Sequence, residues 1–600
     1  MNCAKILKST IIIVDLYQRK YLGGIDLIKK SFTLLMILML VVGMLAGCSK
    51  PAEPATEDQT TTTTEEKSDA TTEEKTEVKK DVTADEVIKD IKVRKALTLA
   101  IDRTAIVETV TKGGQIPATG FVPPGLKMSD GRDFRETAGD YGIDPYEANI
   151  EEAKKLLAEA GFPNGEGFPT LSLIYNTSEG HKAIAEAIQE MWKQNLNIDV
   201  ELTNQEWAVF QDTRHQGNFQ VARAGWIGDY EDPMTFLDMW TTYSGNNDAQ
   251  WDKPEYDKVI EASKLASGAE RDKLLLEAEK MMMDDLIVMP IYYYTNPIMV
   301  SKNVKDWYLN ALGMWSFMEA STETGELRWN LGGEPKTLDP GLNSAVDGGH
   351  IINNTFEGLL KKTKDGITYG VADKYEVSED GLTYTFHLRD SKWADGKPVT
   401  AQDFEYAWKR ALDPAVGAEY GFQMFYIKGA QDYYEGNGKL EDVAIHATDD
   451  KTLVVELNAP TPYFTDLVTF YTFMPVRKDI VEKDPENWAR NPETAIGNGP
   501  FKIADYKNGD RIVLVKNDNY YDADKVKLNK ITAQMIVDAS TALTAYESGE
   551  IDIIDNIPST EIPRLLAEDD TFQIMPYVGT YFPNYALCWN LLLYLQCRWN

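Results

Sequence analysis

Apolar and polar residues alternate along the first half of the chain with spacings that predict helices and strands in turn. Helical spacing of apolar residues runs through 93–110, 145–160, 178–195, 255–266 and 269–285. Short apolar runs favour strands at 171–175 (LSLIY) and 198–202 (IDVEL). This order of strand, helix and strand predicts a mixed or parallel sheet with helices on its faces.

The second half, 325–580, carries more strand signals and more turns. The segments GELRWNLGG, LTYTFHLRD, KTLVVELN and RIVLVKND predict strands, and Asp380-Gly381 and Asp449-Asp450 predict turns between them. Helical spacing occurs at 401–412 and 540–548. We therefore expect a strand-rich α+β lobe beside an α/β lobe.

Length and charge limit the class of protein. A chain of 600 residues is too long for one hydrophobic core, so two or more lobes are expected. Its 61 Lys and Arg against 95 Asp and Glu give a formal net charge of −34, which argues against a nucleic-acid partner. The cysteines, Cys3, Cys48, Cys588 and Cys597, all lie near the ends, which excludes a disulfide-stapled or cysteine-ligated zinc core.

The N-terminal segment predicts export and lipidation. Lys29-Lys30 precedes the apolar run 32–44, which is too short for a comfortable membrane span, and Leu45-Ala46-Gly47-Cys48 matches the bacterial lipobox. Residues 1–48 are thus predicted to be a signal peptide cleaved before a lipid-carrying Cys48, the alternative being an uncleaved anchor helix. Residues 49–86, rich in Thr, Glu and Lys, predict a disordered tether, so the protein is expected to be extracytoplasmic and lipid-anchored to the cell membrane.

The stretch 204–240 concentrates the candidate binding chemistry. It predicts a helix at WAVFQDT, a strand at FQVARAG and a helix N-terminus at Asp232-Pro233, with a polar loop between the last two. Its cations suit a carboxylate, its acid suits an ammonium, and its indole rings offer apolar walls. A ligand with an ammonium, a carboxylate and variable side chains between them is a peptide. The residues concerned are Arg214, His215, Arg223, Asp229, Trp207 and Trp226.

Longer motifs carry a family resemblance. NQEW, DTRHQG, ARAGW and YNTSEGHK in the first half, and WADGKPVTAQDF and GNGPFKI in the second, resemble the substrate-binding proteins of bacterial oligopeptide ABC importers. The resemblance implies an α/β, two-lobed periplasmic-binding-protein-like fold of type II, in the large cluster with an extra domain. It also implies a cofactor-free monomer without a metal, which binds short oligopeptides outside the membrane and delivers them to permease subunits.

The two halves stand in reverse of the family's order. Residues 87–320 resemble the family's C-terminal half, the α/β peptide-binding lobe, and residues 321–582 resemble its strand-rich N-terminal half. Residues 583–600 do not resemble the family and are interpreted as a tail. A circular permutation and a rearranged or wrongly assembled reading frame both explain this order. Either way, the three-dimensional fold is expected to survive.

The resemblance assigns roles to individual residues. Asp229 matches the acid that pairs with the peptide's α-ammonium. Four cationic side chains match groups that meet C-terminal carboxylates: Arg223, Arg214, His215 and His181. Trp207 and Trp226 match aromatic pocket walls. The segment Ser344, Ala345 and Val346 matches backbone that pairs with the peptide like an added strand. Further pocket-lining matches are Tyr420, Asn556 and Tyr577, and either Thr111 or Lys112 falls where some members have a carboxylate-binding lysine.

Other functions fit the sequence less well. The chain has no HExxH zinc motif, no GxSxG elbow and no cysteine nucleophile in its body, so a peptidase is not expected. Two binding alternatives stay open, namely a dipeptide, nickel or heme receptor and a peptide-sensing receptor that does not take part in transport. DTRHQG together with ARAGW favours oligopeptides over these alternatives.

Overall fold

The computed structural model describes residues 82–587 of the chain. The predicted signal peptide, Cys48, most of the tether and the end of the tail lie outside the described residues. Within 82–587, none of the helices is both long and apolar enough to span a membrane.

Helices and strands alternate through the described residues. The α-helices, in chain order α1 to α17, are Ala84–Val87, Ile91–Leu99, Arg103–Ala105, Phe134–Ala138, Ile150–Glu159, Glu179–Leu196, Trp207–His215, Met234–Leu237, Pro254–Leu265, Gly268–Asp285, Val346–Thr355, Ala401–Ala411, Ala430–Tyr434, Phe464–Leu467, Lys478–Val481, Ala539–Glu547 and Ile562–Glu568. The strands, β1 to β19, are Ile116–Pro117, Leu171–Asn176, Val200–Gln205, Val221–Ile227, Tyr292–Val300, Tyr308–Leu309, Trp315–Ser316, Glu326–Asn330, Leu360–Thr363, Gly366–Tyr369, Ala372–Val377, Thr383–Leu388, Ile445–Asp449, Thr452–Glu456, Phe501–Lys507, Arg511–Lys516, Lys530–Gln534, Ile553–Ile554 and Phe572–Tyr585.

Most predicted elements are present, with shifted ends where a capping residue decides the start. The helix predicted from 145 begins at Ile150, because the side chain of Asn149 accepts the amide of Glu152 as its N-cap. The helix predicted over 93–110 is interrupted after Leu99 and restarts at Arg103, capped by Asp102. Pro233, predicted as the first helical residue, is instead the N-cap of α8.

Both ends of the folded part lie outside the predicted boundaries. The predicted tether, 49–86, overlaps helix α1, which has a capping box between Thr83 and Glu86. The predicted tail, 583–600, overlaps strand β19, which continues to Tyr585. Composition gave the first boundary and the end of the family resemblance gave the second, whereas helix capping and strand pairing extend beyond them.

One sheet of eleven strands runs through both halves of the sequence. Its order is β15-β16-β17-β8-β18-β5-β19-β4-β2-β3, with β1 on β5. Strand β19, from the end of the chain, lies between β5 and β4 from the first half. A separate four-stranded antiparallel sheet, β11-β12-β14-β13, belongs to the second half.

The two long strands β5 and β19 connect the two ends of this sheet. We call residues 82–294 with 579–587 the first lobe, and residues 295–578 the second lobe. Strand β5 pairs with β1 near Tyr292 and with β18 near Val300. The β5–β19 register shifts between Pro576 and Thr580, where both strands pass from one lobe to the other.

The first and last described residues pack against the same part of the first lobe. Val82 and Leu587 both contact the hydrophobic cluster formed around α2, α5, α6 and β2. The side-chain amide of Gln220 donates to Asp85 at 2.8 Å, and the backbone carbonyl of Gln220 accepts a hydrogen bond from the backbone amide of Ala586. The two described ends of the chain therefore lie close together.

Candidate functional site

Strand β4 and the loop after it carry the central candidate residues. Arg223 lies in the middle of β4 rather than at its end, because the strand continues to Ile227 and includes Trp226. Asp229 lies two residues beyond the strand, where its amide donates to the Thr235 hydroxyl at 2.9 Å. Arg223 and Asp229 are thus held at opposite ends of one extended segment.

Asp229 is held by neutral donors from the second lobe. The Tyr420 hydroxyl lies 3.3 Å from Oδ1, and the Gln423 amide donates to Oδ2 at 2.8 Å. Burial raises the pKa of the Asp229 carboxyl well above its ordinary value, and the nearby Asp238 adds to this shift. A carboxylate with two hydrogen bonds and no cation in direct contact is suited to receiving an ammonium group.

Aromatic rings form a wall between the lobes beside this acid. The indole of Trp226 stacks on the Tyr420 ring, with centroids 6.1 Å apart and planes at 24°. Its Nε1 donates to the Thr235 carbonyl at 2.7 Å, which fixes the ring. The structure therefore brings together Trp226, Tyr420 and Asp229, three residues assigned by resemblance from opposite halves of the sequence.

A second cluster surrounds Arg223 at the other end of the segment. Its guanidinium donates to Tyr294 at 3.1 Å and to Asn176 at 3.4 Å, and it lies 5.2 Å from the centroid of Tyr581. The Nε of Arg223 is buried and has no hydrogen-bond partner in the part of the chain that the structure describes. An Arg with an unused N–H can still donate a hydrogen bond to a carboxylate.

His181 and Tyr577 belong to the same cluster. The His181 ring lies 6.0 Å from that of Tyr581, and Tyr577 lies 5.7 Å from Tyr294. Burial lowers the pKa of His181 well below its ordinary value, and the charge of Arg223 lowers it further. Its Nδ1 is buried without a partner. His181 therefore lies beside Arg223 as a neutral ring rather than as a second cation.

Arg214 and His215 already have acidic partners. Both guanidinium contacts of Arg214 go to Asp248 Oδ2, at 2.8 and 2.5 Å. His215 Nδ1 lies 2.8 Å from Glu419 of the second lobe, and Lys336 of that lobe lies 3.0 Å from Asp212. These ion pairs join the lobes along one edge of the interface.

The charges at this edge reinforce one another. Burial lowers the pKa of His215, but Asp248 and Glu419 outweigh this effect, so the pKa is raised. Burial likewise raises the pKa of Glu419, but His215 and Lys336 outweigh it and bring the pKa to about 2. The pair is therefore strongest as imidazolium and carboxylate.

The remaining assigned residues lie around the lobe interface. The Nε1 of Trp207 donates to Asp347 Oδ2 of the second lobe at 3.1 Å. Ala345 has an extended backbone and is the N-cap of α11, which begins at Val346, and Ser344 precedes it in a loop. The amide of Asn556 donates to the Val537 carbonyl at 2.8 Å.

The less specific match at 111–112 lies away from β4. The Thr111 hydroxyl donates to Gln115 Oε1 at 2.8 Å, and Lys112 has a left-handed backbone as the C-cap of a π-helical turn.

Several residues that build the site were not identified from the sequence. Gln423 and Glu419 contact Asp229 and His215 from a segment, AEYGFQM, in which the pattern singled out Tyr420 alone. Tyr294 lies in the apolar run IVMPIYYYT, which predicts a strand but not which ring will face Arg223. These contacts depend on how the two lobes come together, and local sequence patterns do not encode that arrangement.

A cavity of about 100 Å³ adjoins Asp229 on the side of the second lobe. Its walls include apolar side chains from three segments of that lobe and the ammonium-bearing residues Lys361 and Lys362. Leu312, Met314, Phe356 and Phe470 are among the apolar residues. Asp229, two residues beyond β4, thus faces a cavity rather than a packed core.

Several known proteins similar in sequence are named as peptide-binding proteins. Oligopeptide-binding protein OppA of Bacillus subtilis is 47% identical over 264 residues, 43% of this chain and 48% of that protein. Dipeptide-binding protein DppE of the same organism is 40% identical over 251 residues, 42% of this chain and 46% of that protein. The chain spans about half the length of the curated relatives it matches.

Solved structures give matches of similar extent. Listeria monocytogenes OppA bound to peptide is 35% identical, with a TM-score of 0.37, over 38% of this chain and 45% of that one. The Escherichia coli murein tripeptide binding protein MppA is 35% identical, with a TM-score of 0.39, over 41% of this chain and 48% of that one.

A family profile covers more of the chain than any of these pairwise matches. The profile of bacterial extracellular solute-binding proteins, family 5 Middle, matches residues 50–248 and 366–589. The second match ends at residue 589, past the predicted start of the tail at 583. The α/β architecture agrees with this assignment. The chain therefore belongs to the bacterial extracellular solute-binding proteins of family 5.

Proposed function

We propose that this protein binds short oligopeptides outside the cell membrane and delivers them to the permease of an ABC importer. The observation that carries the proposal is the pairing of opposite charges along β4. Asp229, buried and held only by neutral donors, lies at one end, and Arg223, with an unused buried Nε, lies at the other. Peptides present an ammonium and a carboxylate at their two ends.

The spacing of these charges suits a short extended chain. Six positions separate Arg223 from Asp229, which is roughly 20 Å at about 3.4 Å per residue. A peptide of about six residues, extended alongside β4, would place its ammonium near Asp229 and its carboxylate near Arg223. Contacts to chain ends and backbone are the same for every peptide, so such a site tolerates many side chains.

The other assigned residues have supporting roles in this proposal. Trp226, Trp207, Tyr420, Asn556 and Tyr577 would line side-chain pockets. His181, Arg214 and His215 would meet carboxylates of peptides of other lengths, and the backbone of 344–346 would pair with the peptide. The ion pairs of Arg214 and His215 would then exchange with ligand contacts as the lobes close.

We further propose that the chain is a lipoprotein anchored through Cys48, acting as a monomer, with its two halves in an order reversed from the family's. The adjacency of Val82 and Leu587 supports the reversed order, because joining them would restore the family's connection. The loop 317–325 would then replace the family's old termini. The blocks 87–320 and 321–582 would correspond to the family's C-terminal and N-terminal halves.

Native mass spectrometry of residues 49–600 purified from cells tests peptide binding. We expect a mixture of bound short peptides, and titration calorimetry with a free tripeptide should give saturable binding. N-acetylation of that peptide should weaken binding by removing the ammonium, and C-terminal amidation should weaken it by removing the carboxylate. A protein that carries no peptide and binds none of these ligands would refute the proposal.

Two further assays address the alternatives. Incubation with the same tripeptide should yield no hydrolysis products, and their appearance would favour a peptidase. Uptake of a labelled peptide by cells with and without the partner permease separates import from sensing. A chain with residues 82–316 placed after 321–587 tests the reversed order. It should melt at a similar temperature and bind with similar affinity.

A further inference from the structure

The cavity beside Asp229 contains a lysine that the peptide's two ends do not use. Lys362 and Asp229 both line this space, and the charge of Lys362 acts on the Asp229 carboxyl, lowering its pKa against the larger effect of burial. A peptide whose ammonium contacts Asp229 would place its first side chain next to this cavity. The inference rests on the proposed function, because it concerns the peptide's first residue.

The neighbouring lysine is already fully engaged. Lys361 Nζ donates to Glu357 at 3.0 Å and to the hydroxyls of Tyr520 and Tyr521 at 3.1 and 2.9 Å. These three oxygen acceptors already match the three donors of an ammonium group, and Met318 Sδ lies 3.8 Å from Nζ as well. Lys361 therefore serves the packing of the second lobe and has no donor to spare for a ligand.

Lys362 differs from Lys361 in this respect. Among residues 82–587, its buried Nζ makes no hydrogen bond, and its ion-pair contact is Asp466 Oδ1 at 3.3 Å, outside hydrogen-bond geometry. A buried ammonium with unused donors is costly unless a partner arrives. The walls around it are mostly apolar, so a ligand anion there would be screened little by water.

We propose that Lys362 makes this receptor prefer peptides with an acidic first residue. The α-ammonium would pair with Asp229 while the side-chain carboxylate of the same residue pairs with Lys362. The cavity, at about 100 Å³, has room for several water molecules and hence for a short side chain. A basic first side chain would bring a like charge to Lys362 and is disfavoured.

The test compares four tripeptides that differ only at the first position, Glu, Gln, Leu or Lys followed by Ala-Ala, by titration calorimetry. Glu-Ala-Ala should bind about tenfold more tightly than Gln-Ala-Ala, since a hydrogen bond to a charged group is worth about that much. Lys-Ala-Ala should bind most weakly. Equal affinity for the Glu and Gln peptides would overturn the inference while leaving the proposed function in place.

Three variants assign the preference to Lys362. Lys362→Met should bind Glu-Ala-Ala and Gln-Ala-Ala equally, and Lys362→Arg should keep the preference for Glu. Lys364→Met is the matched control, because Lys364 is two residues away, exposed, and 3.9 Å from Glu319. A preference for Glu that survives in Lys362→Met would refute the role of Lys362. Loss of all peptide binding by the unmodified protein would instead refute the proposed function.

Discussion

The two ends of the segment from Arg223 to Asp229 are prepared for a ligand in different ways. At the Asp229 end, one buried carboxyl is held by the neutral donors Tyr420 and Gln423. At the other end, Arg223 lies among tyrosines, while Arg214 and His215 are already paired with Asp248 and Glu419. One end thus has a single group awaiting a charge, and the other has several cations, two of them already neutralised.

This difference shows how one binding site can fix one end of a ligand and leave the position of the other end adjustable. A desolvated acid without a counterion gives a strong and position-specific contact to an ammonium. Cations that exchange between protein and ligand carboxylates give weaker contacts at several positions. We therefore expect peptides to be aligned by their amino ends, with length tolerated at their carboxyl ends.

Removal of the acid should have the largest effect. Asp229→Ala leaves the peptide's buried ammonium unpaired, which costs about 2–5 kcal/mol, or roughly 30-fold or more in Kd. Titration calorimetry with a free tripeptide measures this loss. Glu231→Ala is the control, because Glu231 is an exposed acid two residues away. If Asp229→Ala bound as tightly as the unmodified protein, the amino end would not be fixed here.

Removal of the cation should have a smaller effect, since other cations lie nearby. Arg223→Gln is expected to weaken binding of a peptide of about six residues, long enough to reach from Asp229 to Arg223, by about 1.5 kcal/mol, the lower range for a hydrogen bond to a charged group. In this variant, the free acid and the amide of the same peptide should bind equally well. A difference between acid and amide that persists in Arg223→Gln would place the carboxylate elsewhere, for example at Arg214.

The stability of the ligand-free protein tests Asp229 in the opposite direction, because removal of its charge should stabilise the fold. Burial raises the folded-state pKa of Asp229, so ionisation favours unfolding as the pH rises above the ordinary value of 3.8. Asp229→Asn keeps a hydrogen-bonding group for Tyr420 and Gln423 but has no charge. It should raise Tm at pH 7 by an amount corresponding to about 1–2 kcal/mol, while losing peptide affinity.

The pH dependence checks this explanation. The gain in Tm from Asp229→Asn should be smallest at pH 3.5, where Asp229 is protonated in the folded state and mostly protonated in the unfolded state. A gain independent of pH would show that the effect comes from packing rather than from the buried charge. Thermal unfolding of the ligand-free protein at pH 3.5, 5 and 7 measures it.

The sequence predicted one side of the site better than the other. Arg223, Trp226 and Asp229 follow one another along a strand and loop, so a local motif identified all three. Gln423, Glu419 and Lys336 reach the site from the second lobe, and no local spacing relates them to β4. Tyr420 was identified only through resemblance.

Local patterns also predicted whether a segment is a helix or a strand. They did not predict where each strand lies in the sheet. Apolar spacing predicted β2, β3 and most of β4, and β2 and β4 bury most of their side chains. It could not predict that β19, from the end of the chain, inserts between β5 and β4, since that pairing joins residues far apart in sequence.

The smallest expected effect concerns the ion pair between the lobes. His215 contributes stability below pH 6.5 and loses it as the pH rises through its raised folded-state pKa. Glu419 contributes above pH 4.5 and loses its contribution as the pH falls through about 2. The pair is therefore complete between about pH 4.5 and 6.5. Glu419→Gln should lower the free energy of unfolding most in that window, by about 1 kcal/mol or less, and Tm should fall with it.

Once the pH has risen through the folded-state pKa of His215, the same substitution should cost little, because a neutral His215 gains less from a carboxylate than an imidazolium does. Lys336 pairs with Asp212 as well as Glu419, so part of the contact between the lobes remains in Glu419→Gln. A loss of Tm that is constant from pH 5 to 9 would assign the role of Glu419 to Lys336 alone. In that case the ion pairs near the peptide's carboxyl end would stay fixed. The inference that His215 exchanges its partner for a ligand carboxylate would then be wrong.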